Sequence, residues 1–137
     1  MHYNFILRRP SAAFLFRLIM KLKVYIYKNC DTCRKAGKYL DNNGIKFESI
    51  PIREQPPSVK ELNMMLNIYK GDVRKLFNTS GVDYRSLNLK EKLPKMSIDK
   101  AIDLLSSNGN LVKRPFVIKG TKGVVGFNES AWKNLFL

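Results

Sequence analysis

Cysteine and histidine are scarce in this chain of 137 residues, which contains two cysteines and a single histidine, His2. A tetrahedral structural zinc site would lack ligands, so we expect no bound metal. A secreted disulfide framework needs several cysteine pairs, and one pair does not provide it. We therefore expect a reducing, cytoplasmic setting in which any disulfide is transient.

Acidic residues are also few, with 11 Asp and Glu against 25 Lys and Arg, which gives a formal net charge of +14. Such a charge attracts polyanions such as nucleic acid, anionic lipid or an acidic protein surface. However, the basic residues are scattered with acids between them, and no run of five like charges marks a basic tail. No zinc-finger or RNA-binding signature is present either. The composition thus indicates a generally basic surface, and we expect no direct nucleic-acid binding.

Long apolar runs are missing as well. The apolar stretch at positions 12–20 is interrupted by Arg17 and is too short to span a bilayer, so we expect no membrane span. Residues 1–20 contain three arginines and no acid, which is typical of an organellar transit peptide. Alternatively, translation begins at Met20 and the extension is a start-site artefact. We treat residues 21–137 as one domain, expected to be a monomer, with 45% hydrophobic residues overall to build a core.

The two cysteines lie where a strand is expected to pass into a helix. The β-branched and aromatic residues Val24–Tyr27 predict a strand, and Cys30 and Cys33 follow directly. After them, Ala36 and Leu40 are spaced as on an amphipathic helix. A C-x-x-C motif in this context indicates a thioredoxin-like redox site.

This position gives the two cysteines different expected roles. The first N–H groups of a helix lack acceptors, and the helix dipole favours an anion there. Together with the flanking cations Lys28 and Arg34, this favours the thiolate form of Cys30, which we expect to be the nucleophile. Cys33, one turn later, is expected to be shielded and to act as the resolving thiol. The alternative is that both are small apolar residues packed in a core.

The remaining pattern predicts the order strand, helix, strand, several short helices, two strands and a final helix. The second strand is expected at 45–50, with Ile45, Phe47 and Ser49 on one face. Ser58 and Glu61 have the spacing of a capping box, and short helical segments follow to about residue 108. The last two strands flank a turn at Gly120 and form a hairpin. We therefore predict an α/β fold of the thioredoxin-like type, with a mixed four-stranded sheet flanked by helices and a helical insertion, about 57–108, between the second and third strands.

Several separated segments together resemble the arsenate reductase (ArsC) and Spx family of thioredoxin-like proteins. They are Tyr-Lys-Asn-Cys-Asp-Thr-Cys-Arg-Lys-Ala at 27–36, Leu-Phe-Asn-Thr-Ser-Gly-Val-Asp-Tyr-Arg at 76–85, Lys-Leu-Pro-Lys-Met-Ser at 92–97, Leu-Val-Lys-Arg-Pro at 111–115 and Val-Gly-Phe-Asn-Glu at 125–129. The resemblance implies that Cys30 attacks an oxyanion or a disulfide. It also implies that glutathione, glutaredoxin or thioredoxin supplies electrons, with no tightly bound cofactor.

The same resemblance assigns further site residues. Arg114, which we count as catalytic with the two cysteines, and Arg74 match two oxyanion-binding arginines, while the third falls at or near Phe127. Pro115 is expected to follow a cis peptide bond. Lys28, Asn29 and Arg34 are expected to contribute to substrate binding, and a further set is implied to line the cleft: Asn78, Thr79, Ser80 and Arg85.

The second cysteine leaves a different class of function open. Reductases of this family that rely on external thiols have another residue at the position of Cys33, whereas the Spx branch has the C-x-x-C as a redox switch. The resemblance therefore carries an alternative, a redox-sensing transcriptional regulator that binds RNA polymerase. The segments at 76–85 and 92–97 favour the reductase-like branch and the oxidoreductase function.

Overall fold

The computed structural model describes residues 11–12 and 22–137, so nearly all of the predicted extension at 1–20 lies outside the described residues. Between residues 22 and 137 the chain forms four strands and six α-helices. In chain order they are β1 Leu22–Ile26, α1 Asp31–Asn42, β2 Glu48–Pro51, α2 Val59–Ile68, α3 Val82–Ser86, α4 Leu89–Lys92, α5 Ile98–Ser107, β3 Phe116–Lys119, β4 Lys122–Val125 and α6 Glu129–Phe136. Single 3-10 turns occur at Val73–Leu76, Leu93–Lys95 and Gly109–Leu111.

The strands form one sheet in the order β2-β1-β3-β4. β1 and β2 are parallel, as a strand-helix-strand unit predicts, whereas β3 is antiparallel to both β1 and β4. The predicted mixed four-stranded sheet, with the helical insertion between β2 and β3, is therefore confirmed. Pro51 ends β2, and its missing N–H is tolerated because β2 is an edge strand.

The predicted extent and facing of the second strand are wrong. β2 begins at Glu48 rather than Ile45, and its buried residue is Ile50, while Ser49 is exposed. The expected alternation misled because Ile45 and Phe47 lie before the strand and pack on the opposite side of the sheet from Ile50. Ile45 and Phe47 therefore pack in the hydrophobic cluster of α1 and α6 although they do not belong to the strand.

The sheet separates two hydrophobic clusters. In β1, Val24 packs toward α1 and α6, and Tyr25 packs toward the helical insertion, as the alternation of a strand requires. The α1 and α6 side is centred on the fully buried Trp132, and the insertion side includes Leu62, Met65 and Phe116. This arrangement fixes the carboxyl end of β1, which leads into the cysteine motif.

Helix α2 begins with the capping box that the sequence predicts. The Ser58 hydroxyl accepts from the N–H of Glu61 at 3.1 Å, and the Glu61 carboxylate accepts from the N–H of Ser58 at 3.0 Å. The same carboxylate accepts from the hydroxyl of Tyr25 at 2.7 Å. The cap therefore also anchors the insertion to the central strand β1.

The helical part of the insertion is interrupted between α3 and α4. α3 ends at Ser86, and Asn88 takes a left-handed conformation with φ of 55° before α4 begins at Leu89. Asn adopts this conformation at lower cost than most residues, so the chain can change direction there. Among the described residues, none of the helices has the length and apolar character needed to cross a bilayer.

Candidate active site

Cys30 is the residue that caps the first helix. It has extended backbone angles, φ of −103° and ψ of 117°, and helix α1 begins at the next residue. Its Sγ accepts a hydrogen bond from the backbone N–H of Cys33 at 3.4 Å. A sulfur in this position occupies the place of an N-cap oxygen and receives one of the orphan N–H groups of the helix. The helix N-terminus therefore stabilises negative charge on Cys30.

Cys33 is placed behind Cys30 and differs from it in environment. It is 3% exposed, whereas Cys30 is half-buried, and both are free thiols. Burial, followed by a side-chain hydrogen bond to Cys30 and the charge of Cys30, raises the pKa of Cys33 to about 12; the backbone of Tyr27 and the charge of Arg114 partly oppose this rise. Cys33 thus keeps its proton at neutral pH. Its predicted resolving role stays a prediction.

Cys30 opens into a cleft of ≈ 690 Å³. Its walls come from the start of α1, the segment before α3 with the first residue of α3, the segment before β3, and the end of β4 with the loop that follows it. The lining residues are Cys30, Thr32, Asn78, Ser80, Gly81, Val82, Lys113, Arg114, Val125, Gly126, Phe127 and Asn128. Lys113 and Arg114 contribute the cations of this lining, and it includes no carboxylate. The cleft is therefore suited to an anionic or polar ligand of Cys30.

Arg114 is the predicted site arginine that the structure brings to Cys30. The Arg114–Pro115 peptide bond is cis. The guanidinium carbon lies 5.0 Å from the centroid of the Tyr27 ring, and Nη1 is buried without a hydrogen-bond partner among the described residues. A buried guanidinium N–H without an acceptor is costly, and an anion in the cleft would supply one.

The other predicted binding residues near the motif lie outside the lining of this cleft. Lys28 is exposed, and Asn29 donates to the hydroxyl of Tyr27 at 3.1 Å. Arg34 is exposed, forms an ion pair with Asp31 and donates to the carbonyl of Lys28. These contacts order the loop around Cys30, and a direct role of the three residues in binding stays a prediction.

Arg74 does not meet the cysteines in this structure. It lines a separate cavity of ≈ 490 Å³ together with Tyr84, Lys90, Leu93 and residues nearby in the insertion. Its predicted contact with an oxyanion at Cys30 is thus unsupported by its position, and its role stays a prediction. Asn78 and Ser80 do line the cleft, as the resemblance implies, whereas Arg85 donates to the carbonyl of Ser80 at 3.1 Å.

Sequence reasoning missed Tyr27 and Arg53. The Arg53 guanidinium carbon lies 4.7 Å from the Tyr27 ring centroid, so two guanidinium groups, those of Arg53 and Arg114, contact one ring. A hydrogen bond from Asn29 and then the charge of Arg53 lower the pKa of the Tyr27 hydroxyl. Arg53 follows β2 without any motif, so only the parallel pairing of β1 and β2 could have revealed it. In the described part of the chain, no group of three or more His, Cys, Asp or Glu could hold a metal ion.

A thiol pair at the first strand-to-helix junction of a mixed four-stranded sheet is the arrangement of a thioredoxin-like protein. The model of the ArsC family matches residues 25–135. YusI, an uncharacterised protein of Bacillus subtilis, is 48% identical over 114 residues, which cover 83% of this chain and 97% of YusI. The chain belongs to the ArsC family.

Two further comparisons cover both branches that the sequence suggested. The crystal structure of a possible arsenate reductase from Streptococcus mutans is 38% identical and covers 86% of this chain and 99% of that one, with a TM-score of 0.78. The global transcriptional regulator Spx of Enterococcus faecalis is 28% identical over 108 residues, which cover 79% of this chain and 80% of that protein. The family is therefore shown, and the fold is that of its members.

Proposed function

We propose that this protein is a thiol oxidoreductase in which the Cys30 thiolate attacks its substrate and Cys33 resolves the product. The observation that carries the proposal is the hydrogen bond of 3.4 Å from the Cys33 N–H to the Cys30 sulfur, at the wall of a cleft lined by Arg114. A nucleophilic sulfur is stabilised there by the helix, and the second thiol is held protonated behind it. This is an arrangement for thiol–disulfide exchange.

The proposed reaction with a disulfide proceeds in two exchanges. The Cys30 thiolate attacks one sulfur of the substrate, the substrate S–S bond breaks, and one thiolate leaves. The first exchange leaves a mixed disulfide on Cys30; Cys33 then gives up its proton to the solvent and attacks the Cys30 sulfur of that disulfide. A Cys30–Cys33 disulfide forms and the second substrate thiolate leaves. The substrate gains two electrons from the dithiol, and glutathione, glutaredoxin or thioredoxin would return them.

The causes of the raised pKa of Cys33 support its proposed part in the second exchange. Two of the causes that raise the pKa of Cys33 are its hydrogen bond to Cys30 and the charge of Cys30. Both end when Cys30 becomes part of a mixed disulfide, because that sulfur is then neutral. The charge of Arg114, which lowers the pKa of Cys33, remains. The first exchange therefore removes part of the rise in the pKa of Cys33, while burial, the first cause of the rise, remains.

The cleft supports a disulfide better than arsenate as the substrate. A tetrahedral oxyanion with several negative oxygens needs several planar donors, and arginine is the residue suited to this. Arg114 is the arginine of the cleft lining, and Phe127 supplies an apolar ring there. We therefore infer that the substrate carries one anionic group and an apolar part.

The test measures turnover with glutathione and glutaredoxin as the electron source. Arsenate and 2-hydroxyethyl disulfide are compared as substrates for the unchanged protein and for Cys30→Ser. After the rate of glutathione and glutaredoxin alone is subtracted, we expect reduction of the disulfide to exceed that of arsenate and to be lost in Cys30→Ser. Equal turnover by Cys30→Ser would end the proposal.

The second candidate function is a redox-sensing regulator that binds RNA polymerase. It is favoured by the C-x-x-C motif and by the similarity to Spx over 79% of the chain. Its test is capture of purified RNA polymerase on the immobilised protein, once with the dithiol reduced and once with the disulfide formed. Binding that depends on the redox state would support this function. No binding in either state would exclude it.

A further inference from the structure

A separate cavity lies in the helical insertion, apart from the cleft of Cys30. It is the space of ≈ 490 Å³ that Arg74 lines, and no residue lines both this cavity and the cleft. Its walls come from the segment at 71–74, from α3 and α4, and from the 3-10 turn that leads into α5. Its volume falls within the range of about 300–1,000 Å³ that small-molecule sites occupy. The cavity is therefore large enough for a ligand of its own.

The hydroxyl of Tyr84 is a polar group of this lining for which the protein supplies no partner. Tyr84 is 5% exposed, and its ring packs against that of Phe77 with 6.1 Å between the centroids. Among the described residues, none forms a hydrogen bond with its hydroxyl. A buried tyrosine hydroxyl usually has such a partner, because leaving it unpaired costs free energy. A ligand in the cavity could accept a hydrogen bond from this hydroxyl.

The charged groups of the lining favour a ligand with one negative charge. Arg74 and Lys90 are its two cations and Asp72 is its one carboxylate, so the lining has a net charge of +1. Neither cation forms an ion pair with a carboxylate of the described residues. An arginine can direct two parallel N–H groups at one carboxylate. A dianion, such as a phosphate monoester, would place an unmatched negative charge near Asp72.

Much of the remaining lining is apolar. Leu93, Pro94, Met96 and Ile98 form this part of the wall. Ile98 is 43% exposed although it begins helix α5, so apolar surface stays accessible to a ligand there. Covering such surface contributes about 25 cal/mol per Å². An apolar wall with a few polar groups at fixed positions is the usual composition of a small-molecule site.

We propose that this cavity binds a small carboxylate with an apolar body. Arg74 and the hydroxyl of Tyr84 donate to the carboxylate, and the apolar body packs against the wall that includes Met96. A cationic ligand would meet two cations, and a purely polar anion would leave the apolar wall in contact with water. The extension at 1–20 is unsuited as an occupant, since it contains three arginines and no acid. This site lies beyond the proposed function, because its lining does not include either cysteine.

The experiment follows binding of two probes to the full chain by NMR, through the shifts of the backbone amides. 4-Phenylbutanoate has a carboxylate and an apolar body, and 4-phenylbutan-1-ol has the same body without the charge. They are compared in the unchanged protein, in Arg74→Gln, in Tyr84→Phe and in Lys92→Gln as the matched control. Lys92 is exposed on α4 and lies outside the lining, so its replacement removes a positive charge of the insertion without changing the cavity. Tyr84→Phe keeps the ring that packs on Phe77, so the fold is expected to be retained.

We expect the unchanged protein and Lys92→Gln to bind the carboxylate about tenfold more tightly than the alcohol, with the largest shifts at 71–74 and 84–98. Arg74→Gln should lose this preference, and Tyr84→Phe should bind the carboxylate about fivefold more weakly. Absent or equal binding of the two probes by the unchanged protein, a preference that survives in Arg74→Gln, or shifts centred on the cleft of Cys30 would overturn the proposal. Cys30→Ser should bind the carboxylate as the unchanged protein does, so failure of thiol exchange would count against the proposed function alone.

Discussion

The backbone N–H of Cys33 donates to the sulfur of Cys30 at 3.4 Å, so the residue proposed to resolve the reaction also positions the residue that begins it. The link depends on the main chain of Cys33 and not on its thiol. Replacing the Cys33 side chain therefore leaves the cap on Cys30 in place. This separates the two roles experimentally, because the first exchange should survive when the second is blocked.

The raised pKa of Cys33 predicts a loss of stability at alkaline pH. The pKa rises from 9.0 to about 12 in the folded protein, first because of burial. Between pH 9 and pH 12 the folded state keeps a proton on Cys33 that the unfolded chain has released. This contribution to stability is therefore complete below pH 9 and falls toward pH 12, by up to about 1.4 kcal/mol per pH unit.

Urea unfolding of the reduced protein and of Cys33→Ser at a series of pH values checks this. Cys33→Ser should lose stability less steeply above pH 9, even if it is less stable at neutral pH. Burial and Glu61 also raise the pKa of Tyr25. Tyr25 is present in both proteins, so it contributes equally to both stability curves. Parallel curves for the two proteins would contradict the assignment.

Arg114→Lys tests the arginine at the cleft. A lysine keeps the charge but loses the planar pair of donors, so we expect exchange with an anionic disulfide such as oxidised glutathione to slow by about 10-fold or more. Exchange with the neutral 2-hydroxyethyl disulfide should change little. Stopped-flow measurement of thiol release gives both rates.

Arg74→Lys tests whether Arg74 binds the substrate of Cys30, as the sequence predicts, or lies apart from it, as its position in the structure indicates. Arg74 lines a separate cavity, so its position predicts no selective loss with the anionic disulfide. A selective loss equal to that of Arg114→Lys would show that Arg74 does reach the substrate.

Glu61 connects helix α2 to the central strand, so Glu61→Ala should destabilise the fold by about 2 kcal/mol. The substitution removes the capping box with Ser58 and leaves the hydroxyl of Tyr25 without the acceptor at 2.7 Å. Glu54→Ala, at an exposed position before α2, is the matched control. Chemical unfolding should show the loss for Glu61 alone, and equal midpoints for the two variants would refute the coupling.

Gly109 and Gly37 should respond oppositely to alanine. A Cβ on Gly109 would overlap the carbonyl oxygen of Ile52, which is backbone and cannot move aside, so Gly109→Ala should cost about 3 kcal/mol or prevent folding. A Cβ on Gly37 meets nothing within 4 Å in helix α1, and Gly37→Ala should add about 0.5–1 kcal/mol. Thermal unfolding distinguishes the two, and similar shifts would show that Gly109 is not confined by Ile52.

Features set by local chemistry could be predicted from the sequence. The capping box of Ser58 and Glu61 lies within four residues, and the C-x-x-C motif follows its strand directly, so both needed no knowledge of distant residues. The side of the sheet on which the residues in and before β2 pack could not be predicted, since Ile45 and Phe47 pack on one side and Ile50 on the other. Periodicity does not show on which side of the sheet a residue packs when it lies just outside a strand.

From the sequence, only those site residues that stand in a recognisable motif could be predicted. Cys30 and Arg114 were found because each stands in a recognisable segment. Arg53 stands in no such segment, and Asp83 stands in one without a predicted role; the structure brings both to one cavity with Tyr27. Arg74 stands at a motif position yet lines a separate cavity, so its role in binding stays a prediction.

The most direct measurement counts the thiols released when the reduced protein reacts with a small disulfide, together with the intact mass of the protein. We predict two thiols per chain and a loss of two hydrogens for the unchanged protein. We predict one thiol and a mixed disulfide on Cys30 for Cys33→Ser, and no release for Cys30→Ser. Release of one thiol by the unchanged protein, or attachment of the adduct to Cys33, would contradict the account.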